Sequence, residues 1–124
     1  MKPFKGSYLF IFLLKDNLSI TTKGGKNFFL PKGRYVYVGS AFGGGGVLKR
    51  VGRHLRKTKP LRWHLDYITA TDVWEFVGFI TFEGKRRECK LSQILEKSPM
   101  FEPIKGFGCS DCKCYSHLFR FREG

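Results

Sequence analysis

At 124 residues, with 42% apolar and 16% aromatic side chains, the chain is expected to form one packed domain, 1–124, and not a disordered tail or two cores. Its formal net charge of +13 is one-sided: residues 1–62 carry 14 Lys+Arg against the single Asp16, while residues 63–124 carry nine of each sign. That asymmetry favours a polyanion partner, most simply nucleic acid, over a merely solubilising surface. Lipid is disfavoured because the densest basic run lacks a separate strongly apolar face.

In chain order, Ser7–Leu14 comes first and is apolar on both parities, the pattern of a central strand covered on both faces. Lys2 and Lys5 precede it, but the run is short, meets Lys15-Asp16 at once and has no small-residue cleavage pattern, so it is not a signal peptide. Leu18–Thr22 and Asn27–Leu30 flank Gly24-Gly25, a hairpin signal. Pro31-Lys32-Gly33 turns into a strand Arg34–Val38, on which Tyr35 and Tyr37 share a face. Glycines 43–46 precede a helix from Val47 to Lys57; Pro60 ends it, and a second helix runs from Leu61 to Ile68. Val73–Phe82 reads as a third core strand and Arg87–Lys97 as a helix. A glycine- and cysteine-rich loop, Gly106–Cys114, leads to a short apolar segment Leu118–Phe121. The expected class is α/β (α+β): a small mixed central sheet flanked by helices, with an extra N-terminal hairpin.

Candidate chemistry gathers around the tyrosines. Gly6-Ser7-Tyr8 opens the first strand and Tyr37-Val38-Gly39 closes the fourth. Taken singly, each tyrosine is better explained by packing on a sheet. Arg50 and His54, four residues apart, share one face of the first helix, where a guanidinium and an imidazole suit phosphoryl chemistry. Lys49, Arg53, Arg56, Lys57, Lys59, Arg62 and His64 are read as nucleic-acid contacts, with Arg53 a rival to Arg50 for the catalytic role. Glu88, at the start of the last helix, is the candidate Mg²⁺ ligand; from spacing alone, stabilisation of the helix dipole is the better explanation.

These elements, over about residues 6–97, resemble the GIY-YIG nuclease superfamily: a glycine-x-tyrosine strand, a tyrosine-x-glycine strand, a helix with Arg-x-x-x-His and a helix led by Glu. Ser7 stands where isoleucine is usual, and the interval between the motifs is longer, accommodating the hairpin. That expansion, with Leu61–Tyr67 and the tail Gly106–Cys112, is similar to the uncharacterised branch found alone or fused to endonuclease III-type repair glycosylases. The resemblance implies one cleavage site from Tyr8, Tyr37, Arg50, His54 and Glu88 and a single Mg²⁺ or Mn²⁺ held by Glu88, whose coordinated water protonates the leaving oxygen. Tyr8, helped by His54, orients or deprotonates the attacking water, and Arg50 stabilises charge on the phosphorane. It further implies DNA as substrate, in repair or recombination, and a repair glycosylase as partner by analogy with fused relatives.

Cys109, Cys112, Cys114 and His117 are zinc-compatible, although ligands packed into nine residues are unusual for structural zinc. With Cys89 they do not form a spread disulfide framework, which favours a reducing, cytoplasmic location. Trp63 and Tyr67 are candidates for base stacking, or more cheaply the buried face of a helix. Three readings follow: a metal-dependent DNA endonuclease, a noncatalytic nucleic-acid-binding adaptor of the same fold, and a zinc- or redox-linked interaction module.

Overall fold

Tyr8, Phe10, Phe12 and Leu14 alternate with Leu9, Ile11 and Leu13 along β1 (Gly6–Leu14), so both faces of this strand need cover. The computed structural model describes residues 5–41, 46–56, 64–84, 87–108 and 114–122. It places β1 between β4 (Gly33–Ala41) and β5 (Trp74–Glu83), with β7 (Leu118–Phe121) and β6 (Phe101–Pro103) beyond β4. The sheet order is β5-β1-β4-β7-β6 and every pair is antiparallel. β2 (Leu18–Thr21) and β3 (Asn27–Leu30) form a separate hairpin at the expected place, its turn closed by Gly25 N–H donating to Thr22 O at 2.9 Å. The helices are α1 (Gly46–Leu55), α2 (Asp66–Thr69) and α3 (Glu88–Lys97). This is the expected α+β class with its extra hairpin, although no parallel pair gives the sheet a mixed direction among the described residues.

Each face of the sheet carries its own core. On one, Tyr8, Phe10, Phe12, Tyr35, Tyr37 and Leu118 pack with Val51 of α1, Ile68 of α2, the β2–β3 hairpin and Phe107. On the other, Val36, Val38 and Phe119 meet Leu91 and Leu95 of α3. Phe10 and Phe12 are fully buried, and each contributes about 1.5–3 kcal/mol by leaving water. Tyr35 stacks on Phe12 at 5.5 Å and donates its hydroxyl to Pro31 O, so it serves the core.

Three of the segments read from the sequence take a different form, and β6 was not anticipated. β5 is an edge strand, not a core strand, and leaves Val77 57% and Ile80 49% exposed. A bulge explains its weak alternation: Ile11 pairs with Gly78 and Phe12 with Phe76, leaving Val77 without a register partner on β1. The helix expected over 61–68 is a single turn at Asp66–Thr69, with residues 57–63 outside the described set. The apolar segment 118–121 is a strand, because Leu118, Phe119 and Arg120 pair with Tyr37, Val36 and Tyr35 of β4.

Candidate active site

The two tyrosine motifs meet because β1 and β4 pair in a register that sets Tyr8 opposite Gly39. A Cβ on Gly39 would lie 2.5 Å from both Cζ and Oη of Tyr8, so only glycine lets the Tyr8 ring lie across β4. Gly6 has a similar reason: its Cβ would lie 2.1 Å from the Phe82 carbonyl oxygen of β5. The glycines of both motifs thus permit close approach at the end of the sheet where Tyr8 emerges.

There the buried Tyr8 hydroxyl shares a 2.8 Å hydrogen bond with Nε2 of His54, which projects from α1. Both side chains are 1% exposed. Tyr37 packs edge-on to the same imidazole, with ring centroids 6.1 Å apart, and Phe10 packs on it at 5.2 Å. Burial pushes the Tyr8 hydroxyl well above the usual phenol range. The nearby Tyr37, Glu88 and Asp66 raise it further, while the Arg50 guanidinium opposes them. Tyr8, Tyr37, Arg50, His54 and Glu88 are therefore one electrostatic neighbourhood, assembled from two strands and two helices.

Glu88 begins α3 and is half-buried. A buried serine fixes this helix start: Ser7 Oγ accepts the Arg87 N–H at 2.8 Å. Ser7 was legible only as the residue standing where isoleucine is usual; its contact, 80 residues away in sequence, was not. A single hard carboxylate, leaving most coordination positions to water and phosphate, fits Mg²⁺ or Mn²⁺ at Glu88.

Other predicted residues are engaged elsewhere. Arg53 makes a two-pronged ion pair with fully buried Asp66, at 2.6 and 3.0 Å, and so ties α1 to α2. Arg50 lies near enough to Tyr8 for its guanidinium to oppose the upward shift of the hydroxyl. His64 Nδ1 accepts the Gly108 N–H at 2.7 Å and packs between Phe28 and Phe107, a structural post for the loop beside Tyr37. Burial, assisted by Lys26, lowers its pKa. Tyr67 packs against the core and accepts the Lys23 N–H at 2.9 Å. Lys49 and Arg56 are exposed. Lys57, Lys59, Arg62, Trp63, Cys109 and Cys112 lie outside the described residues. Phe107, not anticipated, is fully buried and stands edge-on to Tyr37 at 6.4 Å. Cys114 and His117 do come together, but with Cys89 of α3, their ligand atoms all within 4.8 Å of one another.

The profile of the family described as "Domain of unknown function DUF123" matches residues 7–124, nearly the whole chain. The chain belongs to that family. The DUF123 match spans every element that builds the site, from β1 to β7. No curated protein and no solved structure matches the chain. No helix among the described residues is long and apolar enough to cross a membrane.

Proposed function

We propose that this DUF123 domain is a GIY-YIG-type, divalent-metal-dependent DNA endonuclease acting in repair or recombination. The observation that carries the reading is the buried 2.8 Å hydrogen bond between Tyr8 Oη and His54 Nε2. It is supported by Tyr37, Arg50 and Glu88 lying within electrostatic reach of the same hydroxyl. Because Tyr8 stays protonated, it acts as a relay: its Oη orients the attacking water and accepts the water's proton as its own passes to His54 Nε2. His54 must enter this step neutral, with Nε2 carrying the lone pair. Arg50 binds the non-bridging oxygens as negative charge grows on them. Tyr37 walls the site and holds the His54 ring edge-on. Glu88 would hold Mg²⁺ or Mn²⁺, which would supply charge neutralisation at the scissile phosphate.

The +13 charge, with Lys49 and Arg56 exposed on and just after α1, favours DNA as the polyanion. A repair glycosylase is the partner we expect, by analogy with fused relatives. Cys89 and Cys114, which are not disulfide-bonded, suit a cytoplasmic setting.

The test is cleavage of labelled nicked, flapped, branched, abasic and plain duplex DNAs with Mg²⁺ or Mn²⁺ at low salt. Wild type runs beside Glu88→Ala and Tyr8→Phe, with binding measured in parallel. Cutting by wild type that both substitutions abolish, with binding retained, is the expected result. Tight binding without metal-dependent cutting on any substrate would replace the nuclease reading with that of a noncatalytic adaptor.

A further inference from the structure

Behind Glu88, on the next residue of α3, a second kind of donor begins. Cys89 leaves the first turn of the helix toward Cys114 and His117, which precede β7. One ligand atom from each of the three lies within 4.8 Å of the other two. Cys89 and Cys114 are half-buried and not disulfide-bonded, and His117 is buried. The three residues come from two separate stretches of chain, brought together by α3 packing on the sheet. Ser92, one helical turn after Cys89 and itself buried, shares a 2.7 Å hydrogen bond with His117 Nδ1. When Nδ1 donates to Ser92 Oγ, Nε2 carries the lone pair that a metal needs, and the hydroxyl fixes the orientation of the ring.

We infer that Cys89, Cys114 and His117 form a zinc site that staples the first turn of α3 to the strand β7. Two thiolates and an imidazole are the soft and borderline donors that zinc prefers, whereas the single carboxylate of Glu88 is a hard donor suited to magnesium. The two sites therefore divide the metals by chemistry although their ligands are adjacent in sequence. Tetrahedral zinc with bonds of about 2.3 Å to sulfur sets two thiolates about 3.8 Å apart, so the donors need to draw in by only about 1 Å. Three protein ligands leave one coordination position for water or a further donor. This site differs from the set read from the sequence, because it recruits Cys89 from a helix 25 residues before Cys114. Its consequence is mechanical: zinc would hold the helix start that carries Glu88.

The test measures metal directly and does not depend on DNA cleavage. Full-length protein purified without chelator is analysed for zinc, and X-ray absorption at the zinc edge counts its ligands. The expected result is one zinc per chain with two sulfurs and one imidazole nitrogen. Co²⁺ replacement should give thiolate charge-transfer absorption, and Cys89→Ser, Cys114→Ser and His117→Ala should each weaken Co²⁺ binding more than about 100-fold. Ser92→Ala, which removes no ligand, should weaken it by about 10–100-fold. Chelation should lower the unfolding midpoint of wild type by more than about 5 °C. Circular dichroism of each variant separates loss of a ligand from loss of fold, and the wild-type ligand count stands whatever the variants do. The assignment is overturned by metal-free protein that takes up no Co²⁺ after reduction, or by a Cys89–Cys114 disulfide whose reduction restores no binding. It is equally overturned by three sulfurs in the shell with binding unchanged in Cys89→Ser, which would assign the metal to the tail cysteines alone.

Discussion

Gly39→Ala isolates one contact on which the candidate site depends. Gly39 is not among the glycines with positive φ, so alanine is compatible with its backbone and any penalty must come from the added methyl. That methyl would meet Tyr8 Cζ and Oη at 2.5 Å and Cε1 at 2.9 Å. Carbon contacts settle near 3.5–4.0 Å, so the ring must retreat by about 1 Å. It has little room to do so, being 1% exposed and bonded to His54 at 2.8 Å. Overpacking of this kind costs about 1–3 kcal/mol, or about 4–12 °C of unfolding midpoint for a chain of this size. Moving Tyr8 Oη by about 1 Å should also lower cleavage by about 100-fold, far more than the unfolded fraction explains. Chemical denaturation of wild type, Gly39→Ala, Tyr8→Ala and the double variant completes a thermodynamic cycle. In the Tyr8→Ala background the alanine should cost less than about 0.5 kcal/mol, because the ring it strikes is gone. An equal cost in both backgrounds would refute the reasoning and place the requirement for glycine in the backbone of β4.

Arg53→Met leaves the fully buried Asp66 without its guanidinium and should destabilise the fold by about 3–5 kcal/mol in urea unfolding. Unchanged stability with weakened DNA binding would instead make Arg53 a phosphate contact. Ser7→Ala removes the acceptor for the Arg87 N–H, and should cost about 1 kcal/mol and raise the Mg²⁺ concentration needed for cleavage several-fold; an unchanged Mg²⁺ requirement would show that Ser7 does not position Glu88. For His64, burial holds the folded pKa below the usual value, so the unfolded chain takes up its proton first as pH falls. Its contribution is complete above about pH 6.5 and is lost as the pH falls through the lower folded value. Urea midpoints from about pH 7.5 to about pH 5 should therefore fall more steeply in wild type than in His64→Gln, and parallel slopes would exclude His64 as the source.

Local pattern carried much of this protein. The apolar run of Ser7–Leu14, the glycine turn after Thr22 and the helix that ends at Lys97 depend on neighbours close in the chain, and each feature formed where the sequence placed it. The helical period likewise sets Arg50 and His54, four residues apart, on one side of α1, whereas the grouping of Tyr8, Tyr37, Arg50, His54 and Glu88 came from the family resemblance and not from any local pattern. Tertiary structure alone decided the rest. Leu118–Phe121 is too short for its own periodicity to call a strand, and only the vacant edge of β4 makes it one. Val73–Phe82 looked like core, yet strand order, which no local pattern records, left it at the edge with a bulge at Val77. Charge composition could not tell that Arg53 pairs with a buried carboxylate 13 residues beyond it. Ser7 with Arg87, and Cys89 with Cys114 and His117, are encounters across 80 and 25 or more residues, created by the docking of α3. Short-range pattern sets which elements form, because their bonds and faces are local. Which side chains then face one another is settled by the packing of those elements, where the favourable contacts are long-range and the sequence carries no spacing rule for them.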